Sequence, residues 1–403
     1  MKRADNPPAF RSVATTAVHA GRTDFQTLGV HAPPLDLSTT YPIPELGEAV
    51  ESLELLAAGA AAAPSPIYSR LYNPTVARFE SALAALEGAE AAVAFGSGMA
   101  ALTAALLAAR ADEPGATPRQ HVVAVRPLYG GSDHLLTSGL LGFDVDFVRP
   151  EEIGTAVRPE TALVIVETPA NPTLDLVDLA AAARAAAPAP LLVDSTFATP
   201  VLQRPLAHGA ALVLHSATKF LGGHGDVLAG AIATSEAWAA RLRQVRILTG
   251  AVLHPLAAFL LHRSLPTLPA RVRLAQEGAT ILAARLAAHP KVVAVRHPSL
   301  PGQDPLGLLG RQMDGPGSLI AFEVAGGFAA ASRILGAVRL LTPAVSLGST
   351  DSLIQHPAGL THHVVAPEAR AATGIGEGLL RLSVGLEDPD DLWADLAAAL
   401  EAA

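Results

Sequence analysis

A single lysine, Lys219, stands among small and hydroxyl side chains in the stretch HSATKFLGGHGD (215–226), which continues the apolar run AALVLHS. The chain has only two other lysines, Lys2 and Lys291, against 25 arginines. Burial lowers the pKa of an amine and makes it nucleophilic, whereas an arginine stays protonated and forms no stable Schiff base. The setting favours a cofactor-binding lysine over the ordinary interpretation, a solvated surface lysine.

A Schiff-base cofactor also needs a carboxylate to pair with its ring nitrogen. Asp194 ends the apolar run LLVD, 25 residues before Lys219, and can supply that carboxylate. Ser216 and Thr218 could donate their hydroxyls to a phosphate of the same cofactor. These spacings therefore predict one site around Lys219.

The glycine-rich turn FGSGMAA (95–101) leads into a predicted helix and allows three interpretations. Its Gly-x-Gly-x-x-Ala pattern fits a loose dinucleotide fingerprint, which would make the chain an NAD(P)-dependent Rossmann dehydrogenase. The next strand, however, ends in Arg126 and Pro127 and lacks the acidic residue of that motif. A phosphate held by free amides at a helix N-terminus needs only the turn and the helix. A tight turn without a ligand is the third interpretation.

Arg381 lies in the strand-like run LLRLSVGLED, between apolar side chains. A buried arginine needs an anion, and a carboxylate bound through two hydrogen bonds matches it best. An internal salt bridge with an Asp or Glu explains the residue equally well. The histidines show no metal-ligand spacing such as H-E-x-x-H, and no G-x-S-x-G elbow is present, so a metal site and a serine hydrolase lack support.

Short apolar runs alternate with alanine-rich helical segments, which is typical of a parallel sheet covered on both faces. The predicted strands are 121–127, 144–149, 162–169, 191–197, 211–216 and 227–234. Ligands of such an α/β sheet bind beyond the carboxyl ends of its strands. The polar residues at those ends are Gly96 to Gly98, Tyr129, Glu167, Asn171, Asp194 and Ser216 to Lys219.

Two helices are predicted before the first of these strands in the sequence. The segment NPTVARFESALAALEG places apolar residues at helical spacing and ends at Gly88, a common helix stop. Its apolar positions are Val76, Phe79, Leu83 and Leu86. Residues 98–110 form the second predicted helix.

At 403 residues the chain is too long for one ordinary core, so we expect more than one domain. We predict an N-terminal arm over 1–62, a cofactor-binding α/β domain over 63–258 and a smaller α+β domain over 259–403. The low-complexity stretch AAGAAAAPSP (57–66) is typical of a linker or loop.

Composition narrows the classes of function. The residues are 50% hydrophobic and 16% charged, and the net charge of −9 argues against a nucleic-acid partner or a polybasic membrane contact. No apolar run reaches the length of a membrane helix, and the start MKRADNPPAF lacks the apolar core of a secretory signal. Without cysteine, disulfides and thiolate chemistry are excluded. We therefore expect a cytoplasmic protein with a small-molecule substrate.

Eight motifs, in order from about residue 15 to the C-terminus, resemble the Cys/Met-metabolism (trans-sulfuration) family of pyridoxal-phosphate enzymes. They are YSRLYNPT, LEGAEAAVAFGSGMAAL, LYGGSDHLL, VETPANPTL, VDSTFATPVLQRPLAHGA, HSATKFLGGHGDVLAG, VSLGSTDSLIQHPA and LLRLSVGLEDPDDLWADL. The resemblance implies pyridoxal 5'-phosphate as the cofactor and the fold-type I, aspartate aminotransferase-like architecture. It also implies a homotetramer built from two active-site dimers.

The same resemblance implies roles for the cofactor-binding residues. Lys219 would bind the cofactor covalently and later move protons, and Asp194 would keep the pyridine nitrogen protonated. The phosphate would be held by Ser216, Thr218 and the amides of Gly98 and Met99, with Tyr68 and Arg70 reaching it from the neighbouring subunit.

Further roles follow around the ring and the substrate. Tyr129 would stack on the ring and act as acid and base at the leaving group, and Asn171 would lie near the ring hydroxyl. Ser346 and Arg381 would bind the substrate α-carboxylate. Each role suits the chemistry of its residue type.

The substrate branch depends on a few positions. Val345 precedes the serine of SLG where cystathionine-acting members carry a glutamate, and in this it resembles methionine γ-lyases, as do HGD (224–226) and TGAV (249–252). Gly131 replaces the cysteine usual in that branch, and Arg246 with Ile247 replaces a Lys-Asp pair. The resemblance implies a C–S lyase that eliminates a thiol from methionine or a related γ-substituted amino acid. The alternatives within the family are cystathionine γ-lyase, cystathionine γ-synthase and O-acetylhomoserine sulfhydrylase.

Overall fold

A computed structural model describes residues 12–110 and 118–402. The first eleven residues of the predicted arm, which include the segment MKRADNPPAF, lie outside this description. Within the described residues, no helix combines the length and the apolar character required to cross a membrane.

A seven-stranded sheet forms the centre of the larger part. Its strands are β1 (Ala91–Phe95), β2 (His121–Val125), β3 (Asp144–Val148), β4 (Thr161–Glu167), β5 (Leu191–Asp194), β6 (Leu212–His215) and β7 (Gly230–Thr234). They lie in the order β1-β7-β6-β5-β4-β2-β3. All neighbours are parallel except β7, which is antiparallel to both β1 and β6. The prediction of a mostly parallel α/β sheet is confirmed.

Helices cover both faces of this sheet. The helices of this part of the chain are α1 (Val13–His19), α2 (Phe25–Leu28), α3 (Leu46–Ala57), α4 (Pro74–Glu87), α5 (Gly98–Ala109), α6 (Gly130–Thr137), α7 (Ile153–Ala156), α8 (Leu179–Ala186), α9 (Thr199–Leu202), α10 (Glu236–Thr249) and α11 (Pro255–Ser264). Short 3₁₀ turns occupy Pro150–Glu152, Pro205–His208 and Leu265–Thr267. Helices α4 and α11 pack on one face of the β1-β7-β6 region, and α5 and α10 pack on the other.

Helix α4 shows how the sequence determines these elements. The side chain of Asn73 caps its first turn by accepting from the amides of Thr75 and Val76, and Gly88 ends it with φ +68°. Its predicted apolar stripe is buried against the sheet: Val76, Phe79, Leu83 and Leu86. Each large apolar side chain in such a stripe stabilises the fold by about 1.5–3 kcal/mol. The predicted helix and its glycine stop are confirmed.

The C-terminal part is built around a second, five-stranded sheet. It consists of helices α12 (Leu268–Ala287), α13 (Gly327–Ala337), α14 (Pro367–Ala372) and α15 (Pro389–Glu401) with strands β8 (Val292–Arg296), β9 (Leu319–Val324), β10 (Thr342–Pro343), β11 (Leu353–Gln355) and β12 (Leu379–Ser383). The order is β10-β11-β12-β9-β8, antiparallel except between β10 and β11. The boundary predicted between residues 258 and 259 falls within α11, and the exact domain bounds stay a prediction.

Candidate active site

A cavity of about 460 Å³ lies at the carboxyl edge of the large sheet, where β4, β5 and β6 end. Its walls contain eleven of the residues predicted from the sequence: Gly98, Met99, Tyr129, Asn171, Asp194, Ser216, Thr218, Lys219, Val345, Ser346 and Arg381. Its size suits a small cofactor together with an amino-acid-sized substrate. The fold as a whole brings residues that are up to 283 positions apart in sequence to one cavity.

Lys219 follows β6 through a tight turn, in which its backbone N–H donates to the carbonyl oxygen of Ser216 at 3.1 Å. Its Nζ donates to Oγ of Ser346 at 2.6 Å. Burial and, secondly, the positive charge of Arg381 lower the pKa of Lys219 from 10.5 to about 8. A larger share of this amine is therefore neutral near pH 7 than of a surface lysine, and only the neutral amine is a nucleophile.

Asp194 lines the same cavity as Lys219 and is the last residue of β5. Burial raises the pKa of its carboxyl, and two hydrogen bonds from Thr196 oppose that shift. These bonds run to Oδ1 from the backbone N–H at 3.0 Å and from Oγ1 at 2.5 Å. Thr196 Oγ1 in turn accepts from the backbone N–H of Ser216 at 2.9 Å. The sequence assigned no role to Thr196, although a hydroxyl two residues after a strand-end aspartate was visible in DSTF.

The amide-rich end of α5 faces the same cavity. Ser97 caps this helix by accepting from the Ala100 N–H at 3.1 Å, so Gly98 and Met99 form its first turn, where amides are free. A Cβ on Gly98 would lie 3.1 Å from Cβ of Ser216. A side chain at position 98 would press against Ser216, so glycine lets the helix end approach Ser216 closely. Free amides beside a serine hydroxyl form a cradle that fits a phosphate.

Thr218 differs in detail from its predicted role. It lines the cavity, but its hydroxyl donates to the carbonyl oxygen of Ala229 at 3.1 Å and accepts from the Ala229 N–H at 3.0 Å. In this arrangement the proton of Thr218 is used within the protein. The hydroxyl has to turn before it can donate to a phosphate.

Arg381, on β12, is only 2% exposed and forms the opposite wall of the cavity. Its two terminal nitrogens donate to Oδ1 of Asn171 and to the carbonyl oxygen of Ser346, both at 2.8 Å. Both acceptors are neutral, and the buried Nε has no hydrogen-bond partner among the described residues. Burial lowers the pKa of Arg381 to about 10. A buried guanidinium with a spare donor fits a bound carboxylate better than an internal salt bridge.

Tyr129 precedes α6 at the mouth of the cavity, and its side chain is 39% exposed. Its backbone N–H donates to Oε2 of Glu167 at 2.6 Å. A Cβ on Gly131 would lie 2.5 Å from Cε1 of Tyr129, so the tyrosine ring occupies the space of a side chain at position 131. Glu167, a strand-end residue to which the sequence assigned no role, is also part of the cavity wall.

Tyr68 and Arg70 do not line the cavity of their own chain. Tyr68 is 44% exposed, and the guanidinium of Arg70 lies 5.6 Å from the centre of its ring. Nη1 of Arg70 donates to the carbonyl oxygen of Ile247 at 2.8 Å. The pair therefore forms a polar and aromatic surface away from the cavity.

Arg246 likewise does not line the cavity, and its contacts are structural. It is buried, and its Nη1 contacts Oε1 of Glu80 at 2.5 Å and the carbonyl oxygen of Ala94 at 2.9 Å. Arg246 therefore joins α10 to α4 and β1. Within the described residues, no group of three or more acidic or histidine side chains is arranged to hold a metal ion.

Comparison with known proteins gives consistent matches over the whole described fold. Residues 14–401 match the model of the family described as Cys/Met metabolism PLP-dependent enzymes. An L-methionine gamma-lyase of Brevibacterium sandarakinum is 58% identical over 391 residues, which are 96% of this chain and 97% of that protein. An L-methionine gamma-lyase of Streptomyces avermitilis is 56% identical over 98% of this chain and 90% of its own length.

Solved structures also match the chain over nearly its whole length. The crystal structure of metB from Corynebacterium glutamicum has a TM-score of 0.89 and 33% identity, over 98% of this chain and 99% of that one. The cystathionine gamma synthase of Xanthomonas oryzae pv. oryzae, in complex with cystathionine, has a TM-score of 0.88 and 37% identity, over 97% of this chain and 98% of that one.

Proposed function

Because the chain belongs to the Cys/Met metabolism family of PLP-dependent enzymes, we propose that it is a C–S lyase that converts L-methionine and one water to 2-oxobutanoate, ammonia and a thiol. The relatives at 56–58% identity carry the name L-methionine gamma-lyase. The observation that carries the proposal is the cavity in which Lys219, Asp194 and Arg381 meet. The dehydrogenase alternative is wrong, since a family that binds pyridoxal phosphate matches residues 14–401.

The residues of the cavity fit pyridoxal phosphate. The amide-rich end of α5 and the hydroxyl of Ser216 suit its phosphate, Asp194 suits a protonated ring nitrogen, and Lys219 suits its aldehyde. Thr218, Asn171 and Tyr129 are further proposed cofactor ligands from the same chain. When bound, this cofactor withdraws electrons from the substrate Cα and so stabilises a carbanion there.

The residues that face the substrate bind it and transfer its protons. Arg381 and Ser346 bind the α-carboxylate, and this contact orients the Cα–H bond toward Lys219. The amine of Lys219 takes the proton from Cα, as its lowered pKa allows. The phenol of Tyr129 gives a proton to the departing sulfur. Asp194 supplies the fixed negative charge that favours a protonated ring nitrogen in the buried site.

Val345 supports methionine over a substrate with a charged end. Its apolar side chain lines the cavity beside Ser346 and is 52% exposed. It therefore has no charge to pair with a distal amino group. The second candidate function, cystathionine γ-lyase or γ-synthase or an O-acetylhomoserine sulfhydrylase, is favoured by the likeness to the solved cystathionine gamma synthase.

One assay separates these functions. Purified enzyme with its cofactor is incubated with L-methionine, L-cystathionine or O-acetylhomoserine, each with and without an added thiol. We expect L-methionine to release a thiol and 2-oxobutanoate when no thiol is added. Release from cystathionine alone, or product formation only when a thiol is added, would instead identify one of the alternatives.

The rate at which Lys219 attaches added pyridoxal phosphate should rise with pH around a midpoint near 8, because only its neutral amine reacts. The growth of the cofactor's visible absorbance in cofactor-free protein measures this rate. In Arg381→Gln the midpoint should move upward, since the positive charge of Arg381 helps to lower the pKa. A midpoint near 10.5 in the wild type would contradict the prediction.

We further propose a homotetramer of two active-site dimers, in which Tyr68 and Arg70 complete the phosphate site of the partner subunit. Their position outside the cavity of their own chain supports this arrangement. We also propose a cytoplasmic location, where free amino acids and the cofactor are both supplied, and cell fractionation would test it.

Subunit complementation tests the shared site. Lys219→Ala and Arg70→Ala chains should each be inactive alone, but a mixture refolded together should regain roughly a quarter of the wild-type activity. Random pairing makes half of the dimers mixed, and each mixed dimer has one of its two sites intact. Activity of Arg70→Ala alone, or no recovery on mixing, would exclude a shared site. A mixture of Lys219→Ala with Lys219→Arg chains is the matched control and should stay inactive.

A further inference from the structure

We infer that Glu167 is a positioning residue whose carboxyl group holds the backbone N–H of Tyr129 and thereby fixes the phenol over the reaction cavity. The inference deepens the proposed function and rests on it, since it concerns the residue proposed to protonate the departing sulfur. No role was assigned to Glu167 from the sequence or from the resemblance.

The contact joins two separate strand ends. Glu167 is the last residue of β4 and is 4% exposed, while Tyr129 follows β2 and precedes α6. Their hydrogen bond, from the Tyr129 N–H to Oε2, measures 2.6 Å. Both residues line the cavity. A shift of Glu167 would therefore move the start of the segment that carries the phenol.

The rest of the Tyr129 segment is held from other sides. The Tyr129 carbonyl oxygen accepts from the amides of Ser132 and Asp133 at 2.8 and 3.0 Å. A Cβ on Gly130 would lie 2.0 Å from the carbonyl oxygen of Thr361, so the backbone is pressed against its neighbour. On the ring side, Gly131 leaves room for the phenol. Glu167 supplies the acceptor for the backbone N–H of Tyr129.

The surroundings of Glu167 indicate that it works as a hydrogen-bonding group rather than as a charge. Burial and, secondly, the negative charge of Asp194 raise the pKa of Glu167 well above its ordinary value. The amides of Tyr129 and Asn171 and the positive charge of Arg381 oppose that shift without cancelling it. A neutral glutamine has the same shape and also offers an acceptor oxygen. It should therefore replace Glu167, whereas a side chain that cannot reach Tyr129 should not.

The test compares Glu167→Gln, Glu167→Asp and Glu167→Leu in the holoenzyme. We expect kcat to fall about 100-fold in the Asp and Leu variants, because a displaced phenol costs reaction geometry, and less than about threefold in Gln. KM should change little, since the carboxylate contacts of Arg381 remain. In the Asp and Leu variants the circular dichroism of the bound cofactor should change, while Gln should keep the wild-type spectrum.

A double-mutant cycle with Tyr129→Phe decides whether Glu167 acts through Tyr129. In the Tyr129→Phe background, Glu167→Leu should lower kcat further by less than about threefold, because the phenol that Glu167 positions is already absent. Full additivity would overturn the inference, and so would a Gln variant as impaired as Leu, which would indicate an ionised catalytic carboxylate. If Leu fails to fold, the Gln and Asp pair gives the same decision.

A control keeps this result separate from general destabilisation and from the proposed function. Asp395, which does not line the cavity, accepts hydrogen bonds from the backbone amides of Arg339, Leu340 and Leu341 in the C-terminal part. Asp395→Leu should lower the melting temperature but leave the cofactor spectrum unchanged. If wild-type enzyme fails to cleave methionine, the proposed function fails, and the spectra of the Glu167 variants with bound cofactor still test the positioning.

Discussion

Replacing Lys219 with alanine should lower turnover by at least about 1,000-fold, because one change removes both the covalent attachment of the cofactor and the base that takes the Cα proton. The protein should still fold, since the hydrogen bond from Nζ to Ser346 Oγ is the lysine's one side-chain bond given by the described structure. Steady-state thiol release measures the loss of turnover, and the near-ultraviolet absorbance that remains after borohydride treatment and dialysis measures covalent attachment, because reduction removes the visible band. Wild-type protein treated with borohydride should retain the cofactor covalently, and the variant should release it.

Lys219→Arg is the matched control for this experiment. It keeps the positive charge beside Ser346, but a guanidinium stays protonated and attacks no aldehyde. We therefore expect it to be as inactive as the alanine variant. Substantial turnover by either variant would show that the lysine of the cavity is not the reactive amine.

Replacing Asp194 with alanine should reduce kcat by about 1,000-fold, because a fixed charge in a buried site stabilises developing charge far more than it would in water. Asp194→Asn, which keeps the shape and removes the charge, should be nearly as impaired. Steady-state kinetics at saturating pyridoxal phosphate measure the effect apart from weaker cofactor binding. An Asn variant close to wild type would mean that shape, rather than charge, is what the site requires.

Thr196→Val is a milder test of the charge of Asp194, because it leaves the carboxyl group in place. Both hydrogen bonds from Thr196 favour the ionised form of Asp194, so loss of the hydroxyl should raise the pKa of that carboxyl. If Asp194 works as an anion, as proposed, the acidic limb of the rate profile should move to higher pH. An unchanged acidic limb would show that Thr196 has no influence on the charge of Asp194.

The cavity was largely predictable because parallel strands present their carboxyl ends at one edge of a sheet. Asp194 and Lys219 could be assigned to one site from that rule and from the scarcity of lysine. Arg381 was harder to place, since its strand belongs to another sheet and only the folded chain brings it to the opposite wall. Its neutral partners and its unpaired Nε then favour a bound carboxylate over the salt bridge that was equally consistent with sequence.

Other features depend on contacts that no local pattern encodes. The antiparallel direction of β7 follows from the return of the chain between β6 and β1, and its apolar composition is the same for either direction. The use of the Thr218 hydroxyl by Ala229 depends on a neighbour 11 residues away. Glu167 was visible as a polar strand end, but its bond to Tyr129 spans 38 positions. The roles of Tyr68 and Arg70 stay predictions, since they concern a second subunit.

Ser346 has φ +86°, a left-handed backbone conformation that costs a residue with a side chain about 1–3 kcal/mol. Its carbonyl oxygen accepts a hydrogen bond from Arg381, and its hydroxyl accepts one from Lys219. The two basic side chains of the cavity therefore hold Ser346 in place. Loss of either charge should therefore loosen this residue as well. Variants of Ser346 itself should be tested with glycine, which relieves the backbone, beside alanine.

The arrangement of the two sheets also has a consequence for biosynthesis. The sheet that carries Asp194 and Lys219 is complete in sequence at Thr234, whereas Arg381 is synthesised nearly 150 residues later. Because a chain can begin to fold as it leaves the ribosome, the strands around Lys219 can form before the chain contains Arg381, the residue proposed to bind the substrate carboxylate. A prematurely terminated chain that lacks β12 would also lack the charge of Arg381, so the pKa of Lys219 in that fragment should lie higher and its amine should react more slowly with an aldehyde.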